Sequence, residues 1–206
     1  MEHGFWEQRW REGRINFHEG RPNALLERYA ARLPPGSRVL VPLCGKAEDL
    51  AYLAAAGHPV VGVELVEAAV HAFFDEHGLV PAEAPAGGLR RFDAAGLTLL
   101  AGDFFAATPA EVGPVGAFYD RAAVIALPPA MRRDYVRHLR SLLAPGASGL
   151  VITLEYPQER MEGPPFSVPE AELRALYAGA SLELLEDQPA AGSHSAEAGA
   201  RERCWL

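Results

Sequence analysis

The chain has 206 residues, 49% of them hydrophobic, and a formal net charge of −8. That is enough apolar material for one substantial core, and there is no basic cluster large enough for a nucleic-acid footprint. No apolar run approaches a membrane span, the amino terminus lacks the apolar core of a secretion signal, and Cys44 and Cys204 make no disulfide framework. The composition therefore predicts a cytoplasmic, single-domain protein over 1–206, and the acidic surface without a large apolar stripe predicts a monomer.

The first 36 residues read as a helical cover set apart from the core pattern. Phe5, Trp6 and Trp10 recur at helical spacing, a loop follows through Phe17-His18-Glu19-Gly20, and a second helix from Pro22-Asn23 turns Leu25, Leu26, Tyr29 and Leu33 inward. From residue 37 the pattern becomes an α/β core. A strand over Val39-Leu40-Val41-Pro42 runs into a turn, Leu43-Cys44-Gly45, and a helix from Lys46 to Ala56 stopped by Gly57. The continuous apolar strand Val60 to Val63 ends at Glu64, and the next helix carries Val66, Val70 and Phe73 inward before Gly78.

Leu89 to Phe92 and Leu97 to Ala101, separated by Asp93-Ala94-Ala95-Gly96, read as a hairpin that interrupts the βα alternation. The second of these runs leads through Gly102 to Asp103 and Phe104. A strand from Val115 to Tyr119 ends in Asp120-Arg121, and a helix from Pro129 to Leu143 follows. Arg132, Arg133, Arg137 and Arg140 on that helix read as a solvated face. After the strand Gly149 to Leu154, the proline-rich 157–169 segment with Gly163-Pro164-Pro165-Phe166 is too rich in proline for helix or central strand, and a long loop there reads as a lid. A helix from Glu170 to Tyr177 and strands over Leu182 to Leu185 and Glu202 to Leu206 close the chain, with a small, polar, mobile stretch at Ala190 to Ala200. The expected architecture is an α/β three-layer sandwich with a mostly parallel Rossmann-like sheet and an antiparallel strand near the carboxyl terminus.

The chemistry concentrates around one turn. Glu64 stands 19 residues after Gly45, close to the roughly 20-residue spacing at which an acid on the second strand meets ribose hydroxyls. A dinucleotide turn carries three spaced glycines for a pyrophosphate, and this one carries a single glycine, with no phosphate-loop lysine motif; an NAD oxidoreductase is disfavoured. A nucleoside cofactor without phosphates fits better, and S-adenosylmethionine is the candidate. Glu64 would hold the ribose diol; Asp103 would accept from the adenine amino group, with Phe104 against the ring.

Single residues also admit plainer roles. Trp10 alone reads as helix packing, Glu64 as a helix cap and Asp120-Arg121 as a local ion pair; their places at strand ends or beside Phe17 favour ligand contact. Cys44 reads as a packed thiol with nothing nearby to activate it. The seven histidines show no metal spacing.

The ordered set Phe5-Trp6…Arg9-Trp10…Phe17-His18, Val41-Pro42-Leu43-Cys44-Gly45-Lys46, Gly62-Val63-Glu64, Tyr119-Asp120-Arg121-Ala122-Ala123, Ala126-Leu127-Pro128-Pro129 and Gly163-Pro164-Pro165-Phe166 resembles the thiopurine S-methyltransferase family in its bacterial form. The resemblance implies transfer of a methyl group from S-adenosylmethionine to the sulfur of a small thiol or thiopurine, with the cofactor contacted by Trp10, Leu43, Glu64 and Arg121 and its adenine by Asp103 and Phe104. It places Phe17 facing the acceptor. Phe166 and its loop would help exclude water, and Arg121 would favour the reactive anion. Some members carry an arginine beside the acceptor where this chain offers His194. Two other readings share this site: methylation of selenium or tellurium compounds in metalloid detoxification, and cofactor binding without transfer. No metal is required.

Overall fold

The computed structural model describes residues 3–14, 18–191 and 193–206, with His3, Ser193 and His194 described by their backbone alone. Among these residues one nine-stranded sheet runs through the molecule in the order β3-β4-β5-β2-β1-β6-β7-β9-β8. Its centre is parallel: β1 (Val39–Pro42) lies between β2 (Val60–Glu64) and β6 (Val115–Asp120), with β5 (Leu97–Ala101) outside β2 and β7 (Leu143–Glu155) outside β6. All residues of β1, β2 and β5 are buried, as strands covered on both faces must be.

Helices α2 (Ala24–Tyr29), α3 (Glu48–Ala55) and α4 (Glu67–Glu76) cover one face, where Leu25, Leu26, Leu50, Leu53, Phe73 and Phe74 form the core. The other face is covered by α5 (Pro109–Val112), α6 (Ala123–Ala126), α7 (Pro129–Leu142) and α8 (Glu170–Leu176), through residues such as Val112, Val124, Tyr135, Leu139 and Leu173. This is the three-layer sandwich expected of the alternating pattern. Helix starts follow local chemistry. Glu48 and Asp49 sit in the first turn of α3, where the helix dipole favours acids. Thr108 and Glu111 close a capping box around α5, with Pro109 inside it.

Both edges of the sheet are antiparallel. The hairpin of β4 (Leu89–Ala94) and β5 forms as expected, but β3 (Ala82–Ala86) adds an outer strand that periodicity does not reveal. Its Ala-Glu-Ala-Pro-Ala sequence lacks β-branched residues, and a proline is tolerated because the strand is at the edge. At the far edge β9 (Arg201–Trp205) is the expected antiparallel strand; it inserts between β7 and β8 (Leu184–Pro189) and pairs antiparallel with both, so β8 runs in the direction of β7. The last residues of the chain therefore pair against an inner strand, and Trp205 is fully buried, its indole N–H donating to Thr153 Oγ1 at 3.0 Å.

Two further expectations are corrected. The stretch from Ala190 to Ala200 is not a loose connector: it contains α9 (Ser193–Glu197), and Ala190, Ala198 and Ala200 are buried against Leu154 and Tyr156. Arg132 does not belong to the solvated face of α7; it is fully buried, because other segments bring acceptors to it. The amino-terminal α1 (His3–Arg11) lies over the carboxyl ends of the parallel strands, where Trp10 meets Gly45.

Candidate functional site

Four chain turns leave the carboxyl ends of β1, β2, β5 and β6 at the same side of the sheet, carrying Leu43, Glu64, Asp103 and Arg121 respectively. Ligands of open α/β sheets bind at this side. The turn after β1 is unusual in its backbone. Gly45 has φ +53°, and Leu43 has φ +50°, a left-handed conformation that a branched side chain adopts only when its surroundings hold it.

What holds it is largely Glu64. One carboxylate oxygen accepts the Gly45 N–H at 2.8 Å and the other accepts the Val66 N–H at 2.8 Å, while Cys44 N–H reaches Val63 O at 3.2 Å. Burial pushes the Glu64 carboxyl up, and the N–H groups of Val66, Gly45 and Leu65 pull it back toward ionisation. A carboxylate offers about four acceptor positions, so capacity remains on both oxygens. Above the turn lies Trp10: a Cβ added to Gly45 would fall 3.3 Å from its ring atom Cζ2. The glycine thus serves both the backbone conformation and the close approach of the indole. Cys44 is buried, and desolvation followed by the Glu64 charge raises its thiol pKa well above the usual range, so it is no nucleophile.

At the end of β6, Asp120 and Arg121 diverge. Asp120 is fully buried: Oδ1 accepts from the N–H groups of Ala123 (3.0 Å) and Val124 (3.1 Å), and Oδ2 from the Tyr135 hydroxyl at 2.7 Å. Burial raises it to about 6 despite these bonds. It is a fastener for the start of α6, not the partner of Arg121. Arg121 points into the cleft and pairs with Glu19. Burial works against its charge, but Tyr119, Glu19, Asp49 and Glu202 outweigh that and its pKa is raised, so it is a permanent cation.

Asp49 and Glu19 escaped the sequence reading. Asp49 is buried, accepts the Asn23 N–H at 2.6 Å and the Tyr119 hydroxyl at 3.1 Å, and so fastens the entry to α2 onto α3 and β6. Its position directly before Leu50 on an inward-facing helix turn was the available signal. Nothing in sequence marks Glu19, whose partner lies 102 positions away.

The open cleft at this side of the sheet is lined by Leu43, Gly45, Lys46, Tyr119 and Arg121, with His18 and Glu19 from the cover, while Glu64 and Trp10 flank the Gly45 turn without lining it. His18, Glu48 and Glu76 approach one another at its rim within 4.8 Å. The Lys46 ammonium sits against Glu76 at 2.5 Å and already supplies that cluster with a cation.

Asp103 is exposed and accepts the Phe105 N–H at 3.0 Å. The Phe104 side chain turns inward, its ring centroid 5.4 Å from Tyr135 and 5.1 Å from His138, so it is the neighbouring Phe105 ring that is exposed. Neither Asp103 nor Phe104 lines the cleft that holds Leu43 and Arg121. Phe166 is partly buried; its N–H donates to Ile125 O at 2.6 Å, four positions beyond Arg121, and its ring fills the space beside Gly163. The surrounding loop is braced. Tyr156 hydroxyl donates to Pro165 O at 2.5 Å, Ser167 N–H to Gln158 Oε1 at 2.9 Å, and Val168 N–H to Leu154 O at 2.7 Å. Phe17 lies outside the described residues; His194 lies in α9, its side chain likewise outside them.

Residues 1–202 match the family model described as Thiopurine S-methyltransferase (TPMT). Curated relatives named thiopurine S-methyltransferase include one from Pseudomonas aeruginosa (strain UCBPP-PA14), 51% identical over 90% of this chain and 87% of its own. Another, from Bordetella parapertussis, is 47% identical over 91% of this chain and 87% of its own. Solved structures share the fold. They include the 1,6-didemethyltoxoflavin-N1-methyltransferase of Burkholderia thailandensis with bound S-adenosylhomocysteine (TM-score 0.64, 17% identity, 98% of this chain and 84% of that one). A TehB-like SAM-dependent methyltransferase from Corynebacterium glutamicum is a second (TM-score 0.56, 15% identity, 98% and 96%).

Proposed function

The chain belongs to the thiopurine S-methyltransferase family, uses S-adenosylmethionine and methylates a small molecule, and we propose that its acceptor atom is the sulfur of a small thiol or thiopurine. In this reading Glu64 receives the ribose diol, Leu43 and Gly45 let the donor approach the backbone, Trp10 closes over it, and Arg121 faces both donor and acceptor. Asp103 receives the adenine amino group. Phe104 contributes from behind through its backbone and ring edge, given the inward turn of its side chain. Phe17 and Phe166 bound the acceptor.

The observation that carries the reading is the placement of the Leu43-Gly45 turn, fastened by Glu64 and approached by Trp10, in one cleft with the charged Arg121. A buried carboxylate with spare acceptor capacity, a glycine turn free of a Cβ and a cation at the cleft suit a ribose diol and an amino-acid carboxylate. When bound, S-adenosylmethionine supplies a methyl group on a positively charged sulfur and departs as a neutral thioether once the acceptor takes it.

The residues therefore need only align and protect. Alignment of two bound reactants is worth roughly 7–11 kcal/mol. A thiolate is the stronger nucleophile, and the permanent charge of Arg121 favours it over the thiol. Trp10 and the braced loop around Phe166 exclude water. The two cysteines, both free and buried, suit a reducing cytoplasm, and the chain acts as a monomer over one domain, 1–206.

The test is methyl transfer to 6-mercaptopurine, simple thiols, selenite and tellurite, by wild type and Arg121→Ala, across pH. We expect transfer to sulfur, with the variant losing about tenfold or more at neutral pH and recovering part of it as the thiol ionises in bulk. Transfer to selenium or tellurium compounds alone would replace the sulfur assignment. Binding without transfer to any acceptor would make the protein a cofactor binder, and an unchanged pH profile in Arg121→Ala would remove that arginine from the acceptor site.

A further inference from the structure

Arg132 lies in the first turn of α7, three positions after Pro129, and its side chain is fully buried. Few positions are more costly for a guanidinium. An apolar residue of similar volume would pack there at less cost, so the presence of arginine calls for a reason in geometry. Its Nε donates to Leu127 O at 3.0 Å. Its Nη1 donates to Ser167 O at 3.0 Å and to the Glu172 carboxylate at 2.8 and 2.9 Å; Nη2 is buried with no partner among the described residues.

These three partners belong to three separate segments. Leu127 follows directly on α6, whose start is fastened by Asp120 and preceded by Arg121. Ser167 adjoins Phe166 in the 157–169 loop, and Glu172 lies in α8. Among the described residues, one backbone bond joins the loop to α6, from Phe166 N–H to Ile125 O. The planar fork of Arg132 therefore fixes the distance between the end of the Arg121 segment and the wall that carries Phe166. Lysine, with a single point of charge, cannot hold both carbonyls and the carboxylate in that plane.

We propose that Arg132 is a positioning residue for the acceptor: it touches neither donor nor acceptor and sets the gap between Arg121 and Phe166 in which the acceptor is aligned. The inference rests on the reading of the 157–169 loop as the acceptor wall. Sub-ångström displacement of an aligned reactant is expensive, and a shift of about 1 Å can cost about a hundredfold in rate.

The experiment compares Arg132→Lys, Glu172→Gln and Phe166→Ala in 6-mercaptopurine methylation, with kcat and KM for the acceptor, calorimetric affinity for S-adenosylmethionine and Tm measured on each. We expect Arg132→Lys to lower kcat about tenfold, with a smaller rise in acceptor KM and donor affinity within about twofold. Glu172→Gln should lower kcat in the same direction by about threefold. A role in stability alone would lower Tm and leave the kinetics of the folded fraction unchanged. Glu172 is partly exposed, so its variant carries the test where Arg132→Lys does not fold. Unchanged acceptor kinetics in the Arg132 and Glu172 variants, beside a raised KM in Phe166→Ala, overturns the positioning role alone. Unchanged kinetics in Phe166→Ala overturns the wall reading, and the inference with it.

Discussion

Replacing Glu64 separates the two duties that one carboxylate performs. Its oxygens accept the Gly45 and Val66 N–H groups, each at 2.8 Å, in a buried setting. Hydrogen bonds to a charged group contribute about 1.5–3 kcal/mol each, so Glu64→Ala removes about 3–6 kcal/mol and strands two buried donors. That is a large share of the roughly 5–15 kcal/mol by which a domain is stable, and the alanine variant would confuse binding with folding.

Glu64→Gln is the sharper perturbation. Its amide oxygen still accepts one N–H, while its NH₂ meets the other donor, a mismatch of about 1–3 kcal/mol. The variant should fold with Tm lowered by about 2–12 °C, taking about 2–4 °C per kcal/mol for a chain of this size. If the remaining lone pairs hold the ribose diol, donor affinity should drop by about 1.5–3 kcal/mol, or roughly 10- to 150-fold. Calorimetric titration of S-adenosylmethionine into both proteins, with NAD as a control, reads this directly. A folded Glu64→Gln protein that binds the donor within about threefold of wild type would refute the ribose assignment and leave Glu64 as a fastener of the turn.

Gly45→Ala probes the same turn from above. A left-handed backbone costs an L-residue about 1–2 kcal/mol, and the new methyl would stand 3.3 Å from Trp10 Cζ2; Tm should fall by about 2–8 °C and donor affinity about tenfold as the indole is displaced, both checked by thermal scan and calorimetry. Asp120→Asn tests the fastener below α6. Burial holds the folded carboxyl at about 6 against an ordinary 3.8, so between those values the native state keeps a proton the unfolded chain has lost, and stability falls as pH rises through that window and levels off above it. At about 1.4 kcal/mol per tenfold change the loss is about 3 kcal/mol. The asparagine variant lacks it, so urea denaturation should show the variant gaining on wild type by about that amount between about pH 4 and about pH 7, and parallel stability curves would deny the raised carboxyl.

Much of the fold was legible because its signals are local. Apolar runs of strand length and helical repeats ending in Gly57 and Gly78 marked β1, α3, β2 and α4 nearly to their ends. Edge elements were not legible. In β3 no side-chain pattern is needed where residues on both faces are exposed, and α9 is held by small alanines packed on Leu154 and Tyr156, not by an amphipathic stripe of its own. For the site, spacing along one βαβ unit was enough to nominate Gly45 and Glu64, since a strand, a turn and a helix of ordinary length bring them together whatever the rest of the chain does, whereas Leu43 was implied only by the family resemblance.

Charged side chains divide differently. By itself the sequence determined that a carboxylate follows the second strand and an arginine the β6 strand. The tertiary structure decided what each does: Glu64 fastens the Gly45 turn, Asp120 turns away from Arg121 to cap α6, Glu19 comes to Arg121 from the cover, and Arg132 leaves the expected solvated face. The physical reason is that burial of an apolar residue follows from its own hydrophobicity and its place in a local repeat. Burial of a charge depends on partners, and those of Arg132 at Ser167 and Glu172 are 35 and 40 positions away, brought to it only when the sheet and its two helical layers have closed.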